Sequence, residues 1–336
     1  MITIKSKIKI KLADCRLKTV DSQDISHFAY CLLPTCLTAR QAAYLFRLLL
    51  TALCLLAVTT EINPTIRYVS PTGNNIPPYL SWEDAANSIQ DAIDVCEAGD
   101  TVLVDNGTYY ENLVINTPIS LIGLSMDSTV IDGRNIGNIT VYVSQPSGGG
   151  TIENFTITGY GASILTEKKV LVRNCRLTEG QYGLSISGTS SIAENLIIEN
   201  ISIGSYSSCI ADTCETYILN SLFILDNFDS RGIQTGIGGE LHITNNIILF
   251  TGTSTQGTRI GISVGAPKSV HIYNNLISRF GAIYFDTVID SAFVKNNVFI
   301  HGAGISSSGN KIFTNNLALA NNYFGIDQIG SGFIDS

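Results

Sequence analysis

The sequence predicts an all-β solenoid, a right-handed parallel β-helix preceded by a capping α-helix, and three observations predict it. The first is a short phrase that recurs eight times between Thr151 and Asn316: an apolar residue, any residue, asparagine, and a second apolar residue five places after the first. Its leading residues are Ile152, Val172, Ile192, Ile218, Ile243, Ile272, Val294 and Phe313, spaced 20, 20, 26, 25, 29, 22 and 19 residues apart. Recurrence at that period in a Gly-rich, β-branched sequence means coils stacked on one another. The second observation is that the column five places on is equally apolar: Ile157, Leu177, Ile197, Phe223, Ile248, Ile277, Phe299 and Ala318. A coil closed on its own interior requires both columns.

The third observation is asparagine itself, at Asn154, Asn174, Asn220, Asn245, Asn274, Asn296 and Asn315, with Glu194 in the remaining phrase. Residues two apart on a strand share a face, so these amides are expected to point inward with the leading apolar residue. A buried amide needs partners. Stacked about 4.8 Å apart from coil to coil, the asparagines would bond one another as a ladder. A further asparagine follows at Asn195, Asn246, Asn275, Asn297 and Asn316. The residue between leading position and asparagine is mixed, from Glu153 and Arg173 to Tyr273 and Lys295, as an outward position should be. The Leu-rich consensus of the competing leucine-rich solenoid is absent.

In chain order, residues 1–59 form an N-terminal tail plus signal peptide or signal anchor, and residues 60–336 form the β-helix domain. Arg40 and Arg47 precede an apolar run from Leu48 to Val58, with Ala57 and Thr59 at a small-residue cleavage position. That run has the length of a signal-peptide core and is short for a membrane span of about 20 residues. Export to the cell envelope or medium is expected, with membrane contact only through this segment if it stays uncleaved. Residues 60–336 carry 12 Lys and Arg against 25 Asp and Glu, a formal −13. No basic patch there points to nucleic acid. Cys209 and Cys214 lie on one coil, placed to pair in an oxidising compartment or to serve as small buried residues.

Ser81 with Asp84 resembles a helix capping box. Ala85, Ala86, Ile89, Ala92, Ile93 and Cys96 repeat at helical spacing before Gly99. A helix over about 81–98 is expected to cover the first coil, since an open stack needs a cap. Thr101–Val104, Leu113–Ile115, Ile119–Gly123 and Val130–Gly133 read as the first strands, with Gly107-Thr-Tyr109 as a tight turn. At the far end, Asn321-Asn322-Tyr323 and Gly330 to Asp335 look like the start of a closing segment, as if the chain were truncated.

This pattern resembles the right-handed parallel β-helix repeat of the pectin-lyase-like superfamily. The opening from Tyr68-Val-Ser-Pro71 through Gly107-Thr-Tyr-Tyr-Glu111 is similar to that of bacterial and archaeal surface β-helix proteins. Gly107 to Glu111 also resembles the first motif of pectin methylesterases, but the remaining motifs of that family are missing, and the one tryptophan, Trp82, lies in the expected cap. The resemblance implies a polysaccharide partner.

Three residue sets are candidates for chemistry. Asp226, Asp229 and Arg231 are the densest acidic and basic set after the cap, in a long coil whose extra residues imply a protruding loop, where function tends to sit. A lyase would use the arginine as base and Ca2+ on the aspartates, and calcium needs such converging oxygens. Tyr217, His242, His271 and Tyr273 should align outward on neighbouring coils as a sugar-binding surface, because aromatic faces stack and polar tips hydrogen-bond. Glu179 and Glu199, one coil apart, offer the paired carboxylates of a glycoside hydrolase. Two functions follow: a non-catalytic polysaccharide-binding or scaffold protein of the cell surface, or a lyase or hydrolase of acidic glycans.

Overall fold

A computed structural model describes residues 64–335 except 135, 145–148, 210–212, 227–228, 253–257, 280, 287–288, 290, 302, 309–310, 320–326 and 330–332. The expected tail and signal segment therefore lie outside the described residues. Ile62–Ser336 form one compact unit, and its described strands make three parallel sheets. Sheet A has twelve strands, from Ile66–Val69 to Phe333–Asp335. Sheets B and C have ten each, from Gly107–Tyr109 to Leu317–Leu319 and from Leu113–Ile115 to Asp327–Ile329. Successive strands of a sheet come from successive coils, which defines a parallel β-solenoid.

One coil shows how sequence produces this path. Leu171–Arg173 lies in sheet A, Arg176–Thr178 in B and Tyr182–Ser187 in C, before Ser191–Glu194 returns to A. Between A and B the chain turns at Asn174, whose φ is +52°. The same left-handed corner recurs at Asn154, Asn195, Asn220, Asn245, Asn274, Asn296 and Asn315, with φ between +52° and +65°. Asparagine tolerates this conformation better than other chiral residues, which explains its recurrence.

The ladder is thus a correction to the sequence reading. The corner turns Asn220, Asn245, Asn274, Asn296 and Asn315 to the exposed side, and leaves Asn154 and Asn174 half-buried. Parts of this outer column do bond coil to coil: Asn195 Nδ2 donates to Asn174 Oδ1, Asn245 Nδ2 to Asn220 Oδ1, and Asn274 Nδ2 to Asn245 Oδ1, at 3.1–3.3 Å. The buried ladder is the next residue along. Asn246, Asn275 and Asn297 are at most 1% exposed. Each accepts at Oδ1 from the backbone N–H of the preceding coil's ladder residue, at 2.9–3.0 Å for Ser221, Asn246 and Asn275. Each donates from Nδ2 to a carbonyl of sheet A: Ile218, Ile243 and Ile272 respectively. Asn316 continues the column, accepting from Asn297 N and donating to the Val294 carbonyl. Upstream the same column holds Ser221 and then the buried apolar Leu196, Cys175 and Phe155.

The third repeat is also shifted by one residue. Val172 pairs with Ala193, not Ile192. Ala193 and Ile198 are fully buried where Ile192 and Ile197 were expected to be. Asn195, not Glu194, then takes the corner, so all eight phrases place asparagine there.

The predicted helix over 81–98 shrinks to α1, Ile89–Asp94. The first bond of a capping box does form, Asp84 N donating to Ser81 Oγ at 3.1 Å, but no helix begins there. The backbone of Ala86 is instead paired like a strand, donating to the Tyr68 carbonyl and accepting from Ser70 N. Ser88 caps α1, its side chain accepting from Asp91 N, and the Glu111 carboxylate accepts from the N–H groups of Ile89 and Gln90 at 2.8 and 3.0 Å. Its Ile89, Ala92 and Ile93 are buried in the core cluster that runs the length of the coil. Gly107–Tyr109, read as a turn, is a strand of sheet B. The closing residues Asp327–Ile329 and Phe333–Asp335 extend sheets C and A.

Where strands of sheet C begin, a small-residue column lets B and C approach. A Cβ on Gly204 would lie 2.5 Å from the Phe223 ring and 2.6 Å from the Gly232 carbonyl. Neighbouring Tyr182, Ile203 and Arg231 hold one register across sheet C.

The two asparagine columns should respond differently to mutation. Asn275→Ala removes the side-chain partner of two backbone groups on the preceding coil, the Asn246 N–H and the Ile243 carbonyl, each costing about 1–3 kcal/mol when left unsatisfied, and should lower the melting temperature clearly. Asn274→Gly keeps a residue at home with positive φ and should shift it little. Calorimetry on both variants checks this; equal effects would contradict the assignment of inner and outer columns.

Candidate functional site

The outward face of sheet A carries the first site. Its strands Glu215–Leu219, Glu240–Thr244, Ser269–Tyr273 and Ser291–Lys295 pair in register, so Tyr217, His242, His271 and Phe293 stand one above another. Their rings stack at 4.4, 4.7 and 4.9 Å with interplanar angles of 7°, 10° and 14°. Sequence reasoning found three of these four; Phe293 lies in the same outward position of the following repeat and was not singled out. Tyr273 is on the His271 strand, edge-on to its ring at 5.7 Å, with its hydroxyl 2.9 Å from His271 Nδ1.

The rings' faces are turned on one another along the coil axis. They offer edges and heteroatoms to solvent, unlike the open faces expected of a sugar-stacking surface. The heteroatoms converge on Glu240, two residues before His242. Glu240 Oε1 lies 3.2 Å from His242 Nε2 and 2.9 Å from His271 Nε2. Tyr217 Oη donates to Glu215 Oε2 at 2.9 Å, one coil before Glu240. Glu240 was missed because a lone outward carboxylate carries no signal until the coil brings two imidazoles to it.

Burial, and then the neighbouring His271, hold the His242 pKa below the ordinary histidine value, against the opposing pull of Glu240. Tyr217 is pushed up by its bond to Glu215, and Tyr273 by burial and Glu240, so both phenols stay protonated.

The second site lies on the outward face of sheet C. A concavity of about 780 Å³ runs along the coils over Asn138, Tyr160, Gln181, Tyr182, Ser185 and Ser202. It meets another of about 420 Å³ that shares Gln181 and Ser202 and adds Asp229, Arg231 and Thr258. Tyr160 is exposed at the first, and Tyr182 packs edge-on against Tyr206 of the next coil at 6.2 Å. Of the predicted catalytic set, Asp229 and Arg231 share this groove, whereas Asp226 is exposed at the end of the sheet B strand Leu222–Leu225 and does not line it. Asp229 Oδ1 accepts from Thr258 N at 2.7 Å, and Arg231 Nη1 donates to Gln234 Oε1 at 2.9 Å. The groove tyrosines were missed because no single-strand motif marks them; only the registers of sheet C bring them into line.

The expected carboxylate pair does not form. Glu199 pairs in register with Thr178, and Glu179 sits one residue later at a corner with φ +61°. Each has its own cation: Arg134 Nη1 is 2.9 Å from Glu179, and Arg176 Nε is 3.6 Å from Glu199. The one-residue shift of the third repeat is the cause. Cys209 and Cys214, both buried, are joined by a disulfide between sheets C and A, with Cα atoms 6.3 Å apart.

No family model matches the sequence, and no curated protein matches it. Several solved structures match the chain at low sequence identity. XylC in complex with xylose is 10% identical over 76% of this chain and 70% of its own, with a TM-score of 0.49. The deglycosylated pectin methylesterase from Aspergillus niger is 13% identical over 80% and 88%, with a TM-score of 0.46. Pectin methylesterase PemA from Erwinia chrysanthemi is 13% identical over 80% and 93%, with a TM-score of 0.45. These are likenesses of overall fold; the class of this chain, a parallel β-solenoid, follows from its own three sheets.

The depressed His242 pKa fixes a sign. Between the folded and unfolded pKa values the unfolded chain binds the extra proton, so this contribution to stability is present above about pH 6.5 and is lost as pH falls through the folded pKa. Imidazole NMR in chelator-containing buffer should show His242 titrating below about 6.5; titration at or above that value would contradict the burial described.

Proposed function

We propose that this chain is an exported β-helix protein that holds polysaccharide without cleaving it, along the groove of sheet C. The groove itself is the observation that carries the reading. Tyr160 and Tyr182 supply apolar ring surface for sugar faces, while Asn138, Gln181 and Ser202 supply hydrogen-bonding groups for hydroxyls. Arg231 at the far end would pair with a uronate or other acidic sugar, as guanidinium does with carboxylates. A chain lying along the coil axis would meet repeated contacts, as an extended glycan does.

The enzymatic alternative places Asp229 and Arg231 in acid, base or Ca2+-holding roles, with Asp226 as a further ligand. It is weaker because Asp229 is committed to Thr258 N and Asp226 does not line the groove. The column of Tyr217, His242, His271 and Tyr273 then serves as a second surface, contacting ligand by polar edges. Export is supported by the apolar segment Leu48–Val58 and by the Cys209–Cys214 disulfide, since such bonds persist in oxidising compartments. The short helix α1 acts as the cover of the first coil.

Affinity electrophoresis against a panel of neutral and acidic polysaccharides, with parallel assays for new reducing and unsaturated ends, tests the proposal. Retardation by at least one acidic glycan is expected, without product, and should weaken several-fold in Tyr182→Ala. Product formation abolished by Asp229→Ala or Arg231→Ala would establish the enzymatic alternative instead.

A further inference from the structure

We propose that Glu240, His242 and His271 form a binding site for a late first-row divalent cation, zinc being the representative, on the outward face of sheet A. The three side chains bring one carboxylate oxygen and two imidazole nitrogens within 4.8 Å of one another. Zinc bonds of about 2.0–2.2 Å to nitrogen and oxygen give a tetrahedron whose edges are about 3.3 Å. The two oxygen–nitrogen separations, 3.2 and 2.9 Å, are close to such edges. The nitrogen–nitrogen edge, within 4.8 Å, closes by rotation of the two imidazoles about their Cβ–Cγ bonds.

The fold explains why the donors converge. Glu240 and His242 are two apart on one strand and share its outward face. His271 pairs directly with His242 on the next coil, and the coil repeat sets the two rings 4.7 Å apart. Tyr217 stacks on the outer face of His242 and Phe293 on that of His271, so the two imidazoles lie parallel, and binding tilts each toward the other to aim both Nε2 lone pairs at one ion. The hydroxyl of Tyr273 engages Nδ1 of His271, leaving Nε2 for the metal; such a bond to the other ring nitrogen is what orients ligating histidines.

The donor set also selects the ion. Two imidazoles suit zinc, nickel and copper, whereas calcium takes oxygen ligands alone. This distinguishes the site from the Ca2+ role considered at the sheet C groove, and the inference stands on sheet A geometry independently of glycan binding. All three side chains are partly exposed, at 37%, 23% and 19%. The remaining coordination positions thus face solvent, where a water or an incoming oxygen ligand can enter.

The test uses untagged full-length protein stripped with chelator. Zinc sulfate is titrated by calorimetry, and cobalt(II) is added as a spectroscopic stand-in. Saturable binding of one ion is expected, with the ligand-field absorption of nitrogen and oxygen coordination. His271→Ala and Glu240→Gln should each weaken it by at least about tenfold, and Tyr273→Phe by about 10-fold or more through loss of ring orientation. His301→Ala, at a distant corner, should leave it unchanged. Circular dichroism shows whether each variant keeps its fold, and His242→Gln replaces any that does not. Absence of saturable binding, or undiminished binding in folded His271→Ala and Glu240→Gln, would overturn the proposal.

Discussion

From the Ser221 coil onward the structure depends on the buried polar column that runs through Ser221, Asn246, Asn275, Asn297 and Asn316, continuing the apolar column of Phe155, Cys175 and Leu196. A solenoid corner leaves backbone groups facing inward with no strand to pair them, and each such group is costly when unsatisfied. One asparagine resolves two such groups at once: Asn275 takes the N–H of Asn246 at its oxygen and reaches the Ile243 carbonyl of the same preceding coil with its nitrogen, which also bonds Asn297 Oδ1 of the coil after. The bond pattern works only if corresponding corners lie directly over one another. The ladder therefore fixes register to the residue, whatever the length of the loops between.

Register in turn determines what the surface can do. On sheet A it superposes Tyr217, His242, His271 and Phe293 so closely that ring meets ring, leaving nitrogen and oxygen edges as the exposed chemistry. On sheet C larger and smaller residues are mixed along the axis: Leu165, Ser185, Tyr206, Gln234 and Ser263 share one row. An uneven row cannot close into a continuous stack, and a groove remains between the tyrosines. The same coil spacing thus gives a compact polar cluster on one face and an extended track on another.

Much of the architecture was legible in the sequence because both apolar columns recur at a solenoid period. The errors came from its finer grain. Ile192 and Ala193 are both apolar, and hydrophobicity favoured the larger residue, yet the coil buries alanine; a slip of one reverses every side chain on a strand. That slip also produced the supposed Glu179 and Glu199 pair. Consecutive asparagines concealed a division of labour, one shaping the left-handed corner and the next entering the core, which extended-strand alternation could not anticipate. The longer helix failed because Ala86 finds backbone partners in Tyr68 and Ser70, a tertiary pairing that outweighs helical spacing. At the site, alignment of Tyr217, His242 and His271 followed from period alone, whereas Glu240 and the groove tyrosines emerged only when neighbouring coils were placed side by side.

The most direct measurement is hydrogen exchange of the side-chain amides in protein labelled with 15N at asparagine. Asn246, Asn275 and Asn297, locked between coils, should exchange slowly and as a group, while Asn245, Asn274 and Asn296 at the exposed corners should exchange rapidly. Rapid exchange at the first three would mean that the coils are not held in register by a buried ladder, and the surface columns derived from that register would lose their foundation.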